Sequence, residues 1–546
     1  MTLSRGLALA SALVLLACGS DADPASPPEA APSTASVDRS PGERPASLVA
    51  EASFDGGDAA LSTLIARLPP IPERAGLPSR IATVLDGLLE TPVAIRARVD
   101  ERSPLRLLVA RVGDRPRSAV AVRLSSPVPI ADRRPGGPRG AWLVGEHAAV
   151  DDTIAVIADD DEMLALSLGY LAYTALPREG EAGALVVTLP AETVGGTVRD
   201  ALERAVRQLR GQALASAMSA RAAHARPPEL GDPEALVSLL ADAVLARTAY
   251  LPDLGETRLA LAPTASGLSL RVEADVTESS PLADALRGYV PVATGLVTAA
   301  PSESAIVIAS GTSLAARRES ADALVFALTA IAGDRLAASE RVGLTDASTR
   351  IAEIRGPEGA LALGVDAQGA GFALALTRGG TDAAAPTPWG RAFPWSTGAL
   401  ATLLGCAPAA PRGGPDVALC AGRSLATRVG DGARADALAS AAGALAEHAR
   451  DRLLTGATAE SPDLARDLSP LDSPFFLALI RPLRALPLLA LLDRAPAADL
   501  PRGDGALVLA FTHDAPRLRI DLRASTAALA DLDVVRGLFA EAGESE

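Results

Sequence analysis

The sequence predicts an α+β fold in which antiparallel hairpins build the sheets and helices pack against them. Three stretches of the chain carry this prediction, because in each one apolar and polar residues alternate along two short segments that a turn separates. Such alternation is typical of antiparallel strands with one buried face and one wet face. The three stretches are 258–286, 360–376 and 506–529.

The stretch 258–286 shows this unit most completely. Its two alternating segments flank a turn in which Gly267 supplies backbone freedom. Ser280 then provides an N-cap, and Pro281 lies in the first helical turn, where its missing N–H costs no hydrogen bond. Apolar residues follow at helical spacing from Leu282 onward. The unit is therefore predicted as strand, turn, strand and capped helix.

The other predicted elements alternate between helices and strands. A looser version of the hairpin unit occupies 93–124 as three alternating segments. A strand and capped helix at 153–176 are echoed at 305–332, which suggests two related α+β blocks and an ancient duplication, although any antiparallel meander produces comparable hairpins. Further helices are predicted at 60–68, 81–89, 191–223 and 472–492, and further strands at 142–145 and 184–189.

The length of 546 residues exceeds what one hydrophobic core accommodates. We predict a signal peptide at 1–17, an acylated cysteine with a disordered tether at 18–47, and α+β domains at 48–225 and 226–380. A C-terminal α+β block with a disulfide loop fills 381–546. The tether is predicted because its stretch is rich in Pro, Ser, Ala and acidic residues. It has too few large apolar side chains to offset its ordering entropy.

The chain begins with the features of a signal peptide. Arg5 precedes the apolar run 7–17, which is too short for an ordinary membrane span and has the length of a signal-peptide core. A signal peptide implies export, and therefore an environment in which disulfides persist.

The end of this run carries a family resemblance. Leu15, Ala17 and Cys18 resemble the lipobox of bacterial lipoproteins, although Leu16 is larger than the residue often found there. The resemblance implies that Cys18 becomes the acylated first residue of the mature chain. Gly19 then implies the outer membrane, with the body facing the periplasm or the cell surface. An ordinary cleaved signal with an incidental cysteine is the alternative. The rest of the chain resembles only the general type of Ala- and Arg-rich envelope lipoproteins of high-G+C Gram-negative bacteria, which implies no activity.

Composition excludes several classes of function. The net charge of −15 argues against nucleic acid as a partner and against broad attraction to anionic lipid. The chain contains no lysine, so Schiff-base chemistry and a Walker A loop are excluded. No GxSxG or HExxH motif occurs. The four histidines have no metal-ligand spacing, and we predict no metal and no cofactor. They are His147, His224, His448 and His513.

Two cysteines enclose a loop rich in proline and glycine. Cys406 and Cys420 are predicted to form a disulfide, because the lipobox implies an oxidising envelope. Closing a loop of this size contributes about 3 kcal/mol in the chain-entropy model. A metal pair or a redox-active thiol is the alternative, and both lack CxxC spacing and a nearby histidine.

Three aromatic residues stand close together in a chain with only 3% aromatic residues. Trp389, Phe393 and Trp395 form a candidate binding loop for a partner protein or a glycan. The alternative is that the rings plug a junction between blocks.

An acidic run at 159–162 admits two interpretations. Calcium binding is one of them. Because a helix is predicted to begin here, capping and interaction with the helix dipole explain the same residues.

The sequence favours a non-enzymatic binding or scaffolding module held at the membrane by its lipid anchor. Its expected partner is an envelope protein or an apolar ligand. One alternative is a carrier of a lipid, in which small residues leave a cavity between sheet and helices. The same small residues would equally let a helix pack closely on the sheet; they are Ala260, Ala262, Ala362 and Ala375. The other alternative is a hydrolase with a noncontiguous site.

Overall fold

The computed structural model confirms the α+β class, with helices and a large antiparallel sheet. Two compact units are present: unit 1 comprises Met1–Val194 and Glu256–Val272, and unit 2 comprises Gly195–Gly255 and Glu273–Glu546. Compact units need not coincide with domains that fold independently, so the three predicted domains stay a prediction. The residues described are 37–68, 76–181, 183–223, 233–320, 357–365, 371–378, 417–421, 471–486 and 503–544, with isolated positions 322, 323, 342, 345, 352, 448, 452, 464 and 467–469.

Unit 1 is built on antiparallel strands in the order β8-β7-β1-β2-β3-β6-β5-β4. The strands are β1 Leu48–Phe54, β2 Leu105–Val112, β3 Arg115–Arg123, β4 Trp142–Leu143, β5 Ala148–Asp151, β6 Ile154–Ala158, β7 Leu185–Leu189 and β8 Leu254–Pro263. The hairpin partner of β8 is β9, Gly267–Val276. The helices are α1 Gly57–Arg67, α2 Ile81–Leu88, α3 Val93–Arg96, α4 Asp161–Tyr170, continued by a π-helical turn at Leu171–Ala175, and α5 Ala191–Thr193.

Both faces of the central strands of unit 1 are covered. On one face, Val109 and Val120 pack with Ile81 and Leu85 of α2. On the other face, the neighbouring positions of the same strands pack with α4 and the π-helical turn, where Leu164 is fully buried. Unit 1 therefore has three layers, with the sheet between two layers of helices.

One predicted strand of unit 1 is wrong. The first alternating segment of 93–124 is the helix α3, whereas the other two segments are β2 and β3. Pro92 precedes α3, and its fixed φ suits the entry to a helix. Ile95 is fully buried while Val93 is 68% exposed. So short a segment satisfies the strand period and the helix period equally well, and packing decides between them.

A glycine in α2 offers a test of how backbone freedom affects the stability of unit 1. Gly87 is exposed, and a Cβ built on it meets nothing within 4 Å. We expect Gly87→Ala to raise the free energy of unfolding by about 0.5–1 kcal/mol, because alanine has less freedom to lose on folding. Urea denaturation of the full chain measures the change. As the contrasting variant, Gly57→Ala should destabilise, since Gly57 has a φ of +66°. A lower midpoint for Gly87→Ala would contradict the expectation.

Unit 2 contains strands in the order β13-β12-β11-β10-β14-β15-β16. Their bounds are β10 Ser304–Gly311, β11 Glu358–Val365, β12 Gly371–Arg378, β13 Val417–Ala421, β14 Phe476–Ile480, β15 Leu507–Asp514 and β16 Arg517–Ser525. The helices are α6 Arg199–Ala223, preceded by a π-helical turn at Val194–Val198, α7 Pro233–Thr248, α8 Pro281–Leu286, α9 Gly295–Thr298 and α10 Thr526–Glu544. Residues 314–320 and 482–486 are also helical.

The three predicted hairpins are confirmed, and so are the helices that follow two of them. β11 pairs with β12, and β15 pairs with β16. Ser280 caps α8 by accepting a hydrogen bond from the backbone N–H of Ala283 at 3.2 Å. Ser525 does the same for α10. Gly267, however, is the first residue of β9, and its φ is not positive. The turn is closed instead by Thr264, whose hydroxyl accepts from the N–H of Gly267 at 2.9 Å.

The predicted helix at 472–492 is contradicted in its first part. Residues Phe476–Ile480 form β14, and helix is described only at 482–486. The run is apolar at nearly every position, because β14 is central in its sheet. A run without polar residues has no periodicity from which helix and strand can be told apart.

Candidate functional site

Most of the site residues predicted from sequence lie outside the described residues. Cys420 lies in β13, opposite Ala375 of β12. Lipidation and the disulfide therefore stay predictions, as does the aromatic loop. The predicted residues outside the described part are Cys18, Trp389, Phe393, Trp395 and Cys406.

The acidic run at 159–162 is explained by capping. Asp160 accepts a hydrogen bond from the N–H of Met163 at 2.7 Å and so caps α4. Asp161 contacts the exposed ring of His147 at 2.9 Å. No group of three or more His, Cys, Asp or Glu side chains in the described part is placed to hold a metal ion.

The most extensively bonded feature that sequence reasoning missed is a segment at 37–46, here called the strap. It falls in the predicted disordered tether, but it follows a defined path along α4 and the π-helical turn of unit 1. The N–H of Asp38 donates to the carbonyl of Arg139 at 2.8 Å, and Arg139 donates to the carbonyl of Ser40 at 2.6 Å. The disordered tether predicted at 18–47 therefore extends too far, and it would have to end before residue 37. Specific hydrogen bonds, which composition does not reveal, offset the ordering entropy of the strap.

An ion pair anchors the first part of the strap. Arg39 donates two hydrogen bonds to Asp151, from Nε at 2.7 Å and from Nη2 at 2.8 Å. The hydroxyl of Tyr173 donates a third to the same carboxylate at 2.8 Å. Asp151 is 7% exposed, whereas the side chain of Arg39 is 64% exposed. We call Arg39, Asp151 and Tyr173 the clasp.

The clasp shifts the pKa of its members in the directions that favour the charged pair. The hydrogen bond from Arg39 holds the pKa of Asp151 below its usual range, against the opposing effect of burial. Burial, and then the bond to Asp151, raise the pKa of the Tyr173 hydroxyl. Asp151 is therefore ionised and Tyr173 is a neutral donor at neutral pH. A bidentate arginine–carboxylate pair of this kind is among the stronger hydrogen-bonded contacts in proteins.

A close backbone approach fixes the middle of the strap. The N–H of Gly42 donates to the carbonyl of Gly169 at 3.1 Å, and the hydroxyl of Thr174 donates to the carbonyl of Gly42 at 2.8 Å. A Cβ on Gly42 would lie 2.5 Å from the carbonyl carbon of Gly169. Only glycine permits this approach. Thr174 belongs to the π-helical turn, and turns of this type are frequent at functional sites.

A second feature is an apolar surface on the sheet of unit 2. Residues paired across antiparallel strands share a face, so the registers define two rows that cross five strands. We call these ten residues the apolar face: Leu361, Ile308, Ala478, Leu509 and Leu522 in one row, and Leu363, Ile306, Ile480, Leu507 and Ala524 in the other. All except Ala478 are partly exposed, and Ile308 is 38% exposed.

The opposite face of the same strands is the core of unit 2. Val307, Leu477 and Val508 are fully buried there. They pack with Leu296 of α9 and with Leu468. Small residues such as Ala362 lie on this packed face at 1% exposure, which supports close packing of helices on the sheet. The bulkier aliphatic residues thus lie on the less buried face.

The two faces of β16 are the reverse of those predicted. The prediction placed the polar residues on the solvent-facing side, but in the structure they lie on the core side. Asp521 and Arg523 point to the core side and are 2% and 8% exposed. Arg519 donates to Asp521 at 3.0 Å on that side. Because a buried charge is stabilised only when it is paired, this arrangement needs partners that local sequence does not reveal.

Four aromatic residues cluster among the described residues of unit 2. The ring centroids of Phe476 and Phe511 are 5.0 Å apart, and those of Tyr289 and Phe475 are 4.7 Å apart. Leu286 of α8 packs into the same cluster. Phe476 and Phe511 continue the apolar face at one end, because they form its next row.

Comparisons with known proteins identify no family. No family model matches the chain, and no curated protein is significantly similar to it. A solved structure entitled "Structure of crystal form I of TP0453" is 10% identical and covers 45% of this chain and 82% of its own, with a TM-score of 0.18. A TM-score this low does not establish a shared fold.

Among the described residues, no helix combines the length and the apolar character that crossing a bilayer requires.

Proposed function

We propose that this chain is a non-enzymatic binding module of the cell envelope, anchored to the outer membrane by a lipid on Cys18, and that it binds acyl chains. The observation that supports the binding role is the apolar face of unit 2. The wet face of an antiparallel sheet ordinarily carries polar residues, and exposed apolar surfaces in proteins mark sites of interaction.

Hydrogen-bonding capacity favours an acyl chain as the ligand. None of the ten side chains of the apolar face bears a donor or an acceptor, and the backbone groups of β10, β14 and β15 are paired on both sides. A typical protein interface contains about ten direct hydrogen bonds. An acyl chain needs none, so it is the chemically matched occupant. The net charge of −15 disfavours adsorption to an anionic bilayer and favours individually bound molecules.

The test combines native mass spectrometry with a titration. Full chain purified from the envelope in mild detergent should carry a discrete added mass of lipid size, and it should bind a fluorescent long-chain fatty acid. We expect Ile308→Glu to weaken that binding about tenfold or more, because a carboxylate would be buried without a partner. The matched control is Ile130→Glu, since Ile130 is 81% exposed in unit 1.

Two results would contradict the proposal. One is native protein without added mass that does not bind the fatty acid. The other is an equal affinity for Ile308→Glu and Ile130→Glu. Capture of a single envelope protein that Ile308→Glu abolishes would instead support the scaffolding hypothesis.

A further inference from the structure

The strap is held almost entirely by polar contacts. Pro45 is its only buried residue, and positions 38–41 are exposed. The strap therefore buries little apolar area, and hydrogen bonds and ion pairs near solvent contribute little net stability each. A segment held in this way opens at a much lower free energy than the core beneath it.

The body of unit 1 tolerates departure of the strap. When Arg39 leaves, the Asp151 carboxylate keeps the hydrogen bond from Tyr173. The strap contacts the carbonyl of Gly169, which is buried near the end of α4, and that of Arg139, which is half-buried. Because the strap itself lies against these two carbonyls, its release gives water access to them. Docked and released states are both compatible with a folded unit 1.

We propose that the strap docks reversibly on unit 1 through the clasp and thereby sets the length of the membrane tether. Docked, it fixes the start of the tether at α4 of unit 1. Released, it adds residues 37–46 to the tether, which extends the reach of the body by at most about 35 Å. The tether role rests on the lipid anchor of the proposed function, whereas the docking equilibrium does not.

Hydrogen exchange of the full chain measures the docking. The amide protons of Asp38 and Gly42 are bonded only when the strap is docked, so they report it directly. Asp151→Asn and Arg39→Gln should each speed their exchange about tenfold or more. The matched control is Asp152→Asn, which removes the same charge at an exposed neighbouring position and should leave the exchange unchanged.

Arg39→Gln excludes unfolding of unit 1 as the cause of faster exchange. The side chain of Arg39 is mostly exposed, so its loss cannot unfold the body. Amides of β6 should keep their protection in both variants. Unchanged exchange at Asp38 and Gly42 in both variants would show that the clasp does not hold the strap in its docked position.

The tether role has its own measurement. On a supported bilayer, neutron reflectometry of the acylated chain should show a thicker protein layer for Arg39→Gln than for native protein. An unchanged thickness together with faster exchange would overturn the tether role alone. Neither measurement depends on an acyl chain bound at the apolar face. Failure of the proposed ligand is therefore distinguishable from failure of the proposed docking of the strap.

Discussion

Replacing Arg106 by alanine should lower the free energy of unfolding by about 3–5 kcal/mol, the typical cost of breaking a buried pair. Arg106 is 3% exposed on β2 and forms a salt bridge with Asp55 at 2.7 Å. It also donates to four backbone carbonyls: Phe54 at 3.5 Å, Leu105 at 3.1 Å, Ala175 at 3.1 Å and Arg178 at 2.7 Å. Alanine would leave every one of these acceptors without its donor.

Urea denaturation of the full chain provides the measurement for Arg106→Ala. Arg111→Ala is the matched control, because Arg111 lies on the same strand but is exposed, and it should change stability by less than about 0.5 kcal/mol. Arg106→Lys should not restore stability, since an ammonium group cannot reproduce the planar fork of donors. If Arg106→Ala lowered the free energy of unfolding by less than about 1 kcal/mol, the hydrogen bonds and the salt bridge of Arg106 would contribute little to stability.

Replacing Gly42 by alanine should detach the strap altogether. A Cβ at this position would lie 2.5 Å from the carbonyl carbon of Gly169 and from the nitrogen of Tyr170. Backbone atoms on a packed helix cannot yield, so the strap must move. We expect the exchange protection of Asp38 and Gly42 to disappear, with little change in the unfolding free energy of the body.

The control for Gly42→Ala is the next residue of the strap. Glu43 is exposed, and Glu43→Ala should leave the protection intact. If the Gly42→Ala strap stays protected, then the close approach to Gly169 is not what positions it.

The hairpins were predictable because their signals are local. Alternation identified both strands of each hairpin, and Ser280 and Ser525 cap the helices that follow two of them. The sequence did not reveal which side of β16 faces the core. Alternation shows which residues share a face of the strand, but it does not show which of the two faces is buried. The buried face of β16 carries Asp521 and Arg523.

Neither feature of the candidate site was predictable in this way. The apolar face joins positions from five strands, and its rows exist only once the registers are known. In the clasp, Arg39 and Asp151 are 112 residues apart in sequence. Composition places the strap in a disordered stretch, because composition does not record a distant partner.

The docking of the strap also bears on the order in which the chain folds. Its residues emerge before most of the body, yet their partners follow 112 residues later at Asp151 and 132 residues later at Thr174. Contacts of such long range close late. The strap thus remains undocked until α4 has formed, and completion of unit 1 marks the moment at which it can dock.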